Sequence, residues 1–119
     1  MLSIQDPVTL RRLLGLSLSQ MAEVIGAILG RQIHRQTIWN WEHPRPPKRP
    51  FPEGARRAYG LLLARVITSC RDDLEVQVRV TRRGFGVTAW ARCARCGRRF
   101  RIRRMRERRC IRCRKKKNA

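Results

Sequence analysis

Four cysteines stand in two pairs, Cys93-x-x-Cys96 and Cys110-x-x-Cys113, with thirteen residues between the pairs. A thiolate is a nucleophile and also a soft metal ligand, so its setting decides which chemistry it performs. Two cysteines three apart on a tight turn present both sulfurs to one side, and two such turns close a tetrahedron of the kind that holds structural zinc. With all four positions filled by sulfur there is no place for a catalytic water. One structural Zn2+ is therefore the expected cofactor, and no catalytic residue is expected. Gly97 follows the first pair, where a positive φ lets amides point at sulfur, and Arg114 takes that place in the second. Two disulfides or a thioredoxin-type redox pair are the alternatives for the same residues. The opening Met1-Leu2-Ser3-Ile4-Gln5-Asp6-Pro7 lacks the basic and apolar stretches of a secretory leader, which favours a reducing compartment and so the metal.

The remaining candidates for chemistry read more plainly. Cys70 is expected as a small apolar residue at a helix end. Asp72, Asp73 and Glu75 fit the solvated start of a strand better than a set of nuclease metal ligands. His34 falls at a helix cap and His43 at a helix end, where a cation is favoured.

The cysteine-bearing half is also the cationic half. In 119 residues, 29 Lys and Arg face 8 Asp and Glu, for a net charge of +21. Residues 1–70 hold 10 bases and 4 acids, whereas residues 71–119 hold 19 and 4. Between Arg92 and Lys117 there are 15 bases and one acid, Glu107. Such a field attracts polyanions, and nucleic acid is the commonest large one in a cell. Arg98, Arg99, Arg101 and Arg103 are the expected backbone contacts, with Phe85, Trp90 and Phe100 as stacking surfaces for single strands or RNA. The basic half alternates like strands and forms no amphipathic basic helix, so no membrane partner is expected. No apolar run is long enough to span a bilayer, and hydrophobic residues at 42% with clear periodicity argue against disorder.

Those residues need elements to position them. Leu10, Leu13 and Leu14 share one helical face that Gly15 closes. Ser17 is a natural N-cap for a second helix, in which Leu18, Met21, Ala22, Ile25, Ile28 and Leu29 recur at steps of three and four before Gly30. A third helix is expected from Arg35 to His43, and the proline-rich run 44–52 stops it. A fourth, from Glu53 to about Ser69, has Ala55, Ala58, Tyr59, Leu62, Leu63, Val66 and Ile67 on one broad face. Past Arg71 the period becomes two. Val76, Val78 and Val80 form one strand, Arg82-Arg83-Gly84 a turn, and Val87, Ala89 and Ala91 a second strand leading into Cys93. Phe100-Arg101-Ile102-Arg103 alternates like a third.

Leu16-Ser17, Met21-Ala22-Glu23-Val24-Ile25-Gly26 and Arg35-Gln36-Thr37-Ile38-Trp39-Asn40-Trp41-Glu42 resemble the phage-repressor-type helix-turn-helix family, the xenobiotic-response-element class of regulators, over residues 9–69. The resemblance implies that Ser17 caps the second helix and that Ile38 and Trp41 anchor the third. Arg35, Gln36, Trp39 and Asn40 are then left facing out as base contacts, with types suited to guanine, adenine and thymine edges. Leu18 replaces the family's backbone-touching glutamine, for which Ser19 and Gln20 lie close enough to substitute. Ser17, Ser19, Gln20, Lys48 and Arg49 are the expected contacts to the DNA backbone. Ten residues separate Gly26 from Thr37 where the family has four, read here as a longer second helix ending at Gly30 with Ile33 as the buried turn residue. Residues 87–114 resemble zinc-ribbon families.

The expected fold class is α plus small β: a helix-turn-helix bundle over 1–70, a β-hairpin with a four-cysteine zinc ribbon over 71–114, and a basic disordered tail over 115–119. The expected function is a sequence-preferring DNA-binding protein, a transcriptional regulator of a prokaryotic or viral mobile element, placed in the cytoplasm at the nucleoid. Double-stranded DNA is the expected partner, with RNA or single-stranded nucleic acid through the ribbon as a further one. A homodimer through Leu62, Leu63 and Val66 is also considered. An RNA-binding or ribonucleoprotein component, or an adaptor docking on polymerase or recombination machinery, is the alternative.

Overall fold

The computed structural model describes residues 4–44 and 51–116. Among them are five helices and a three-stranded antiparallel sheet. Asp6 caps α1 (Pro7–Leu13) by accepting from the Thr9 backbone N–H at 2.8 Å, and proline at the first position costs no hydrogen bond. The chain then turns by 106° into α2 (Leu18–Leu29). Ser17 and Gln20 form a reciprocal capping box there, and Gly30 ends the helix at φ 70°. Ile33 packs partly buried against the core, as the long turn requires. His34 opens α3 (Arg35–Glu42) by accepting the Gln36 backbone N–H through its Nδ1 at 3.1 Å. No helix among the described residues is long and apolar enough to cross a membrane.

The longest element, α4 (Glu53–Cys70), lays Ala55, Ala58, Tyr59, Leu63 and Ile67 against the core. Leu63 is fully buried there, so it is not available to a partner chain as the dimer reading requires. Leu62 and Val66 are half-buried, and Leu61 beside them is exposed. Cys70 ends the helix in solvent and does not pack as a small apolar residue.

β1 (Glu75–Val80) and β2 (Phe85–Arg92) form the hairpin, and β3 (Arg99–Arg101) adds to the far end of β2. The Thr81 N–H donates to the Gly84 carbonyl at 3.0 Å, and the Gly84 N–H donates to Thr81 Oγ1 at 2.9 Å. A strand's side chains alternate, so Phe85, Val87, Ala89 and Ala91 share one face of β2. The first two join Leu10, Met21, Ile25, Ile38, Tyr59 and Leu63 in the main core. The next two form a smaller core with Ile102, flanked by Phe100 and Met105. Hydrophobic packing thus runs across the change of period at Arg71. A fifth helix, α5 (Ile111–Lys116), has no counterpart in the sequence reading and extends into the segment expected to be a tail.

Helix and hairpin meet at Gly60, where an added Cβ would lie 2.5 Å from Val78 Cγ1. Replacing Gly60 with Ala should therefore force the sheet off the helix and lower stability by about 1–3 kcal/mol, as overpacking does. Urea unfolding of the two proteins measures the difference, and an unchanged midpoint would contradict this close approach.

Candidate metal centre and nucleic-acid interface

The two cysteine turns are built alike. The Gly97 N–H donates to the Cys93 carbonyl at 2.9 Å, and the Arg114 N–H donates to the Cys110 carbonyl at 3.0 Å. Gly97 has φ 71°, a conformation a side chain would oppose, whereas Arg114 lies within α5 and needs none. Cys93 sits one step past β2, in phase with the buried face of Phe85, Val87, Ala89 and Ala91, and is itself buried. Cys113 is buried from α5, while Cys96 is exposed and Cys110 half-exposed.

None of the five cysteines is in a disulfide. The four paired sulfurs lie within 4.8 Å of one another, positioned to hold a metal ion. Cys96 Sγ and Cys110 Sγ are 3.8 Å apart, which is the edge of a regular tetrahedron with metal–sulfur bonds of about 2.3 Å. Burial raises the Cys93 thiol, but backbone N–H groups of Cys96, Cys110 and Arg95 outweigh it and bring the thiol down to about 5. Cys110 is lowered too, chiefly by the Cys113 N–H. Cys113 is pushed up to about 12 by burial and by its sulfur neighbours. Four thiolates in this space need a cation to coexist, and the amides already favour the charged form at two of them.

The second half of the segment between the pairs is held by two side chains, Arg71 and Glu107. Arg71, with a buried side chain, donates to both Asp73 oxygens at 2.7 and 2.9 Å, to the Met105 carbonyl at 2.9 Å and to the Glu107 carbonyl. Glu107 Oε1 accepts from the Arg103 and Arg104 N–H groups at 2.9 and 2.7 Å, and Oε2 pairs with Arg114 at 3.2 Å. The one acid of the basic segment is thus buried as structure. The hydrogen bond from Arg71, opposed by slight burial, holds the Asp73 carboxyl below its usual range. That ion pair is intact above the ordinary carboxylate pKa and is lost as pH falls through the depressed one.

On the helical side, the Glu42 carboxylate is 1% exposed and takes two hydrogen bonds from Arg11, at 2.7 and 2.9 Å. Arg11 also donates to the Leu16 carbonyl at 3.1 Å. Ile38 is fully buried and Trp41 packs on the core, so three residues of α3 fix its inner side. Tyr59 lies against Trp41, Phe51 and Phe85, and burial first, then the Glu42 charge, raises its hydroxyl pKa.

Arg35, Gln36 and Asn40 are left exposed, and the Gln36 side-chain amide donates to Asn40 Oδ1 at 3.2 Å. Trp39 is half-exposed and stacks on the His43 ring at 4.3 Å. Ser17 and Gln20 are engaged in the cap of α2, although the Ser17 hydroxyl proton and the Gln20 amide N–H groups remain as donors. Ser19 and Arg35 line one open groove between α2 and α3, which Arg31 and Gln32 from the long turn also line. The surplus residues of the long turn thus stand beside Arg35 at the same groove. Lys48 and Arg49 lie outside the described residues.

In the basic half Arg98, Arg101 and Arg103 are exposed. Arg99 pairs with Glu75 at 2.7 Å and covers Trp90 at 4.5 Å. Phe85 is fully buried and cannot stack on a base, and Trp90 already has Arg99 over its ring. Only Phe100 of the three expected stacking residues keeps an open role among the described contacts.

Comparison of the chain with protein-family models, characterised proteins and solved structures finds no match.

Arg11→Ala strands the buried Glu42 charge and should cost about 3 kcal/mol, the low end for breaking a buried pair since Arg11 is partly solvated. Glu42→Gln in the Arg11→Ala background should recover part of that loss, read by thermal unfolding. Separately, chelation should abolish amide protection over 93–116 while α1–α4 stay protected in hydrogen exchange. Uniform loss across the chain would mean that the metal holds the whole fold.

Proposed function

We propose that the chain is a sequence-preferring DNA-binding protein that regulates transcription, with α3 entering the major groove and a zinc-bound ribbon adding affinity through the phosphate backbone. The observation that carries this reading is the division of α3. Ile38, Trp41 and Glu42 are locked inward, while Arg35, Gln36 and Asn40 are presented outward.

A major groove about 12 Å wide admits one helix, and the exposed types match base edges. Arg can bridge guanine O6 and N7, and Asn or Gln can bridge adenine N6 and N7. The hydrogen bond between Gln36 and Asn40 uses one donor of the first and the acceptor of the second. A free acceptor remains on Gln36 and free donors on both, the complement of an adenine edge. The net charge of +21 supplies long-range attraction. Zn2+ is the metal we assign to the four sulfurs, because closed tetrahedral thiolate sites suit it and the small core nearby, Ala89, Ala91 and Ile102, supplies little packing of its own.

Selection from random duplex DNA, run beside an RNA pool, tests the reading. Arg35→Ala or Asn40→Ala should each cost about 1–3 kcal/mol on the selected duplex and blur its sequence. Replacing Arg98, Arg101 and Arg103 together by Ala should leave the preferred sequence intact. The log–log salt slope should become shallower by up to roughly 0.9 per lost contact. If the triple variant erased the sequence preference and the α3 variants preserved it, the reader would be the ribbon.

A further inference from the structure

Ile111 opens α5 with 53% of its surface exposed, in a helix whose other exposed described residues, Arg112, Arg114 and Lys115, are all cationic. Across from it, on the edge strand β3, Phe100 is half-buried against Ala91 and Ile102. The two side chains line an open cavity of about 640 Å³ that includes Cys96, Cys110 and Cys113 of the sulfur cluster, along with four arginines, Arg98, Arg101, Arg103 and Arg112, and a fifth, Arg99, that is paired with Glu75. Among the described residues no acidic side chain lines it. Glu107, the one acid of the segment, is turned to the Arg103 and Arg104 amides and to Arg114.

We propose that this groove between β3 and α5 binds an unpaired nucleotide of a single-stranded nucleic acid, with Phe100 and Ile111 receiving the base and the four arginines holding the flanking phosphates. An apolar floor inside a cationic rim asks for a ligand that is flat and apolar at its centre and anionic on either side. A nucleotide within a strand has that form, and its base face is free only when unpaired. A duplex hides those faces in its stack, and an acidic peptide supplies the charge without the flat apolar centre. A merely solvated basic face leaves the exposed Ile111 without a role. This site is separate from α3 and stands whether or not α3 reads duplex DNA.

The test uses the full-length, metal-loaded protein and fluorescence anisotropy with four labelled probes: ten-residue oligothymidine, ten-residue oligouridine, an abasic strand of equal charge and a polyglutamate. Base-bearing strands should bind about tenfold or more tightly than the abasic strand, in line with the effect of one stacked base. Tighter binding of either sugar type supports the site and identifies its source. Ile111→Ser, a change at an exposed position, should remove most of the preference for bases while leaving abasic binding unchanged. Phe100→Leu should do the same, with cobalt substitution and its thiolate absorption reporting that the sulfur site is intact. Equal affinity for abasic and base-bearing strands would overturn the proposal. So would an Ile111→Ser effect that is equal on every probe or strongest on polyglutamate.

Discussion

A guanidinium removed from water must have its N–H groups taken up by acceptors, or the burial of its charge is prohibitive. Arg71 meets this requirement with two oxygens of Asp73 and the carbonyls of Met105 and Glu107. Two of those acceptors lie just after α4, and two lie more than thirty residues further on. Satisfying one buried side chain therefore draws the long segment between the cysteine pairs onto the end of the helical half. Glu107 completes the arrangement from the other side by closing the 103–107 turn on itself and reaching Arg114 in α5. The Ala94 N–H, which donates to the Arg108 carbonyl at 2.9 Å, then sets the first cysteine turn beside the second.

The same logic, a buried charge with a distant partner, governs the helical half. Glu42 is the last residue of α3, and Arg11 reaches it from α1 across 31 positions. Because Arg11 also holds the Leu16 carbonyl, the turn before α2 and the end of α3 are set by one side chain. The outward residues of α3 owe their common direction to this inner attachment as much as to the apolar contacts of Ile38 and Trp41.

Features with a local cause were legible in the amino-acid order. Ser17 as a cap, Gly30, and the alternating valines of β1 each act through neighbours a few positions away, and each falls where its type demands, whereas Gln20, read as a DNA contact, closes the capping box instead. The cysteine pairs were legible for the same reason, since each turn closes within five residues. Roles decided by distant partners were not. Arg11 and Arg71 look like any of the 29 bases until Glu42, Met105 and Glu107 come beside them. Phe85 reads as a surface aromatic next to a turn, and only the fold of the hairpin onto α4 places it against Phe51 and Tyr59. Helix α5 lacks an apolar stripe, so its short turn of cationic residues around Cys113 has no periodic signature.

The uninterrupted run of β2 carries an implication for how such a chain can vary in length. Its eight residues span about 26 Å, from Phe85 in the main core to Arg92 beside the first cysteine. Phe85, Val87, Ala89, Ala91 and Cys93 keep one parity along it. Loss or gain of a single residue inside the strand would reverse that parity, sending Cys93 to the solvent side while the helices stayed as they are. Related chains should therefore keep the length of this strand or change it in steps of two.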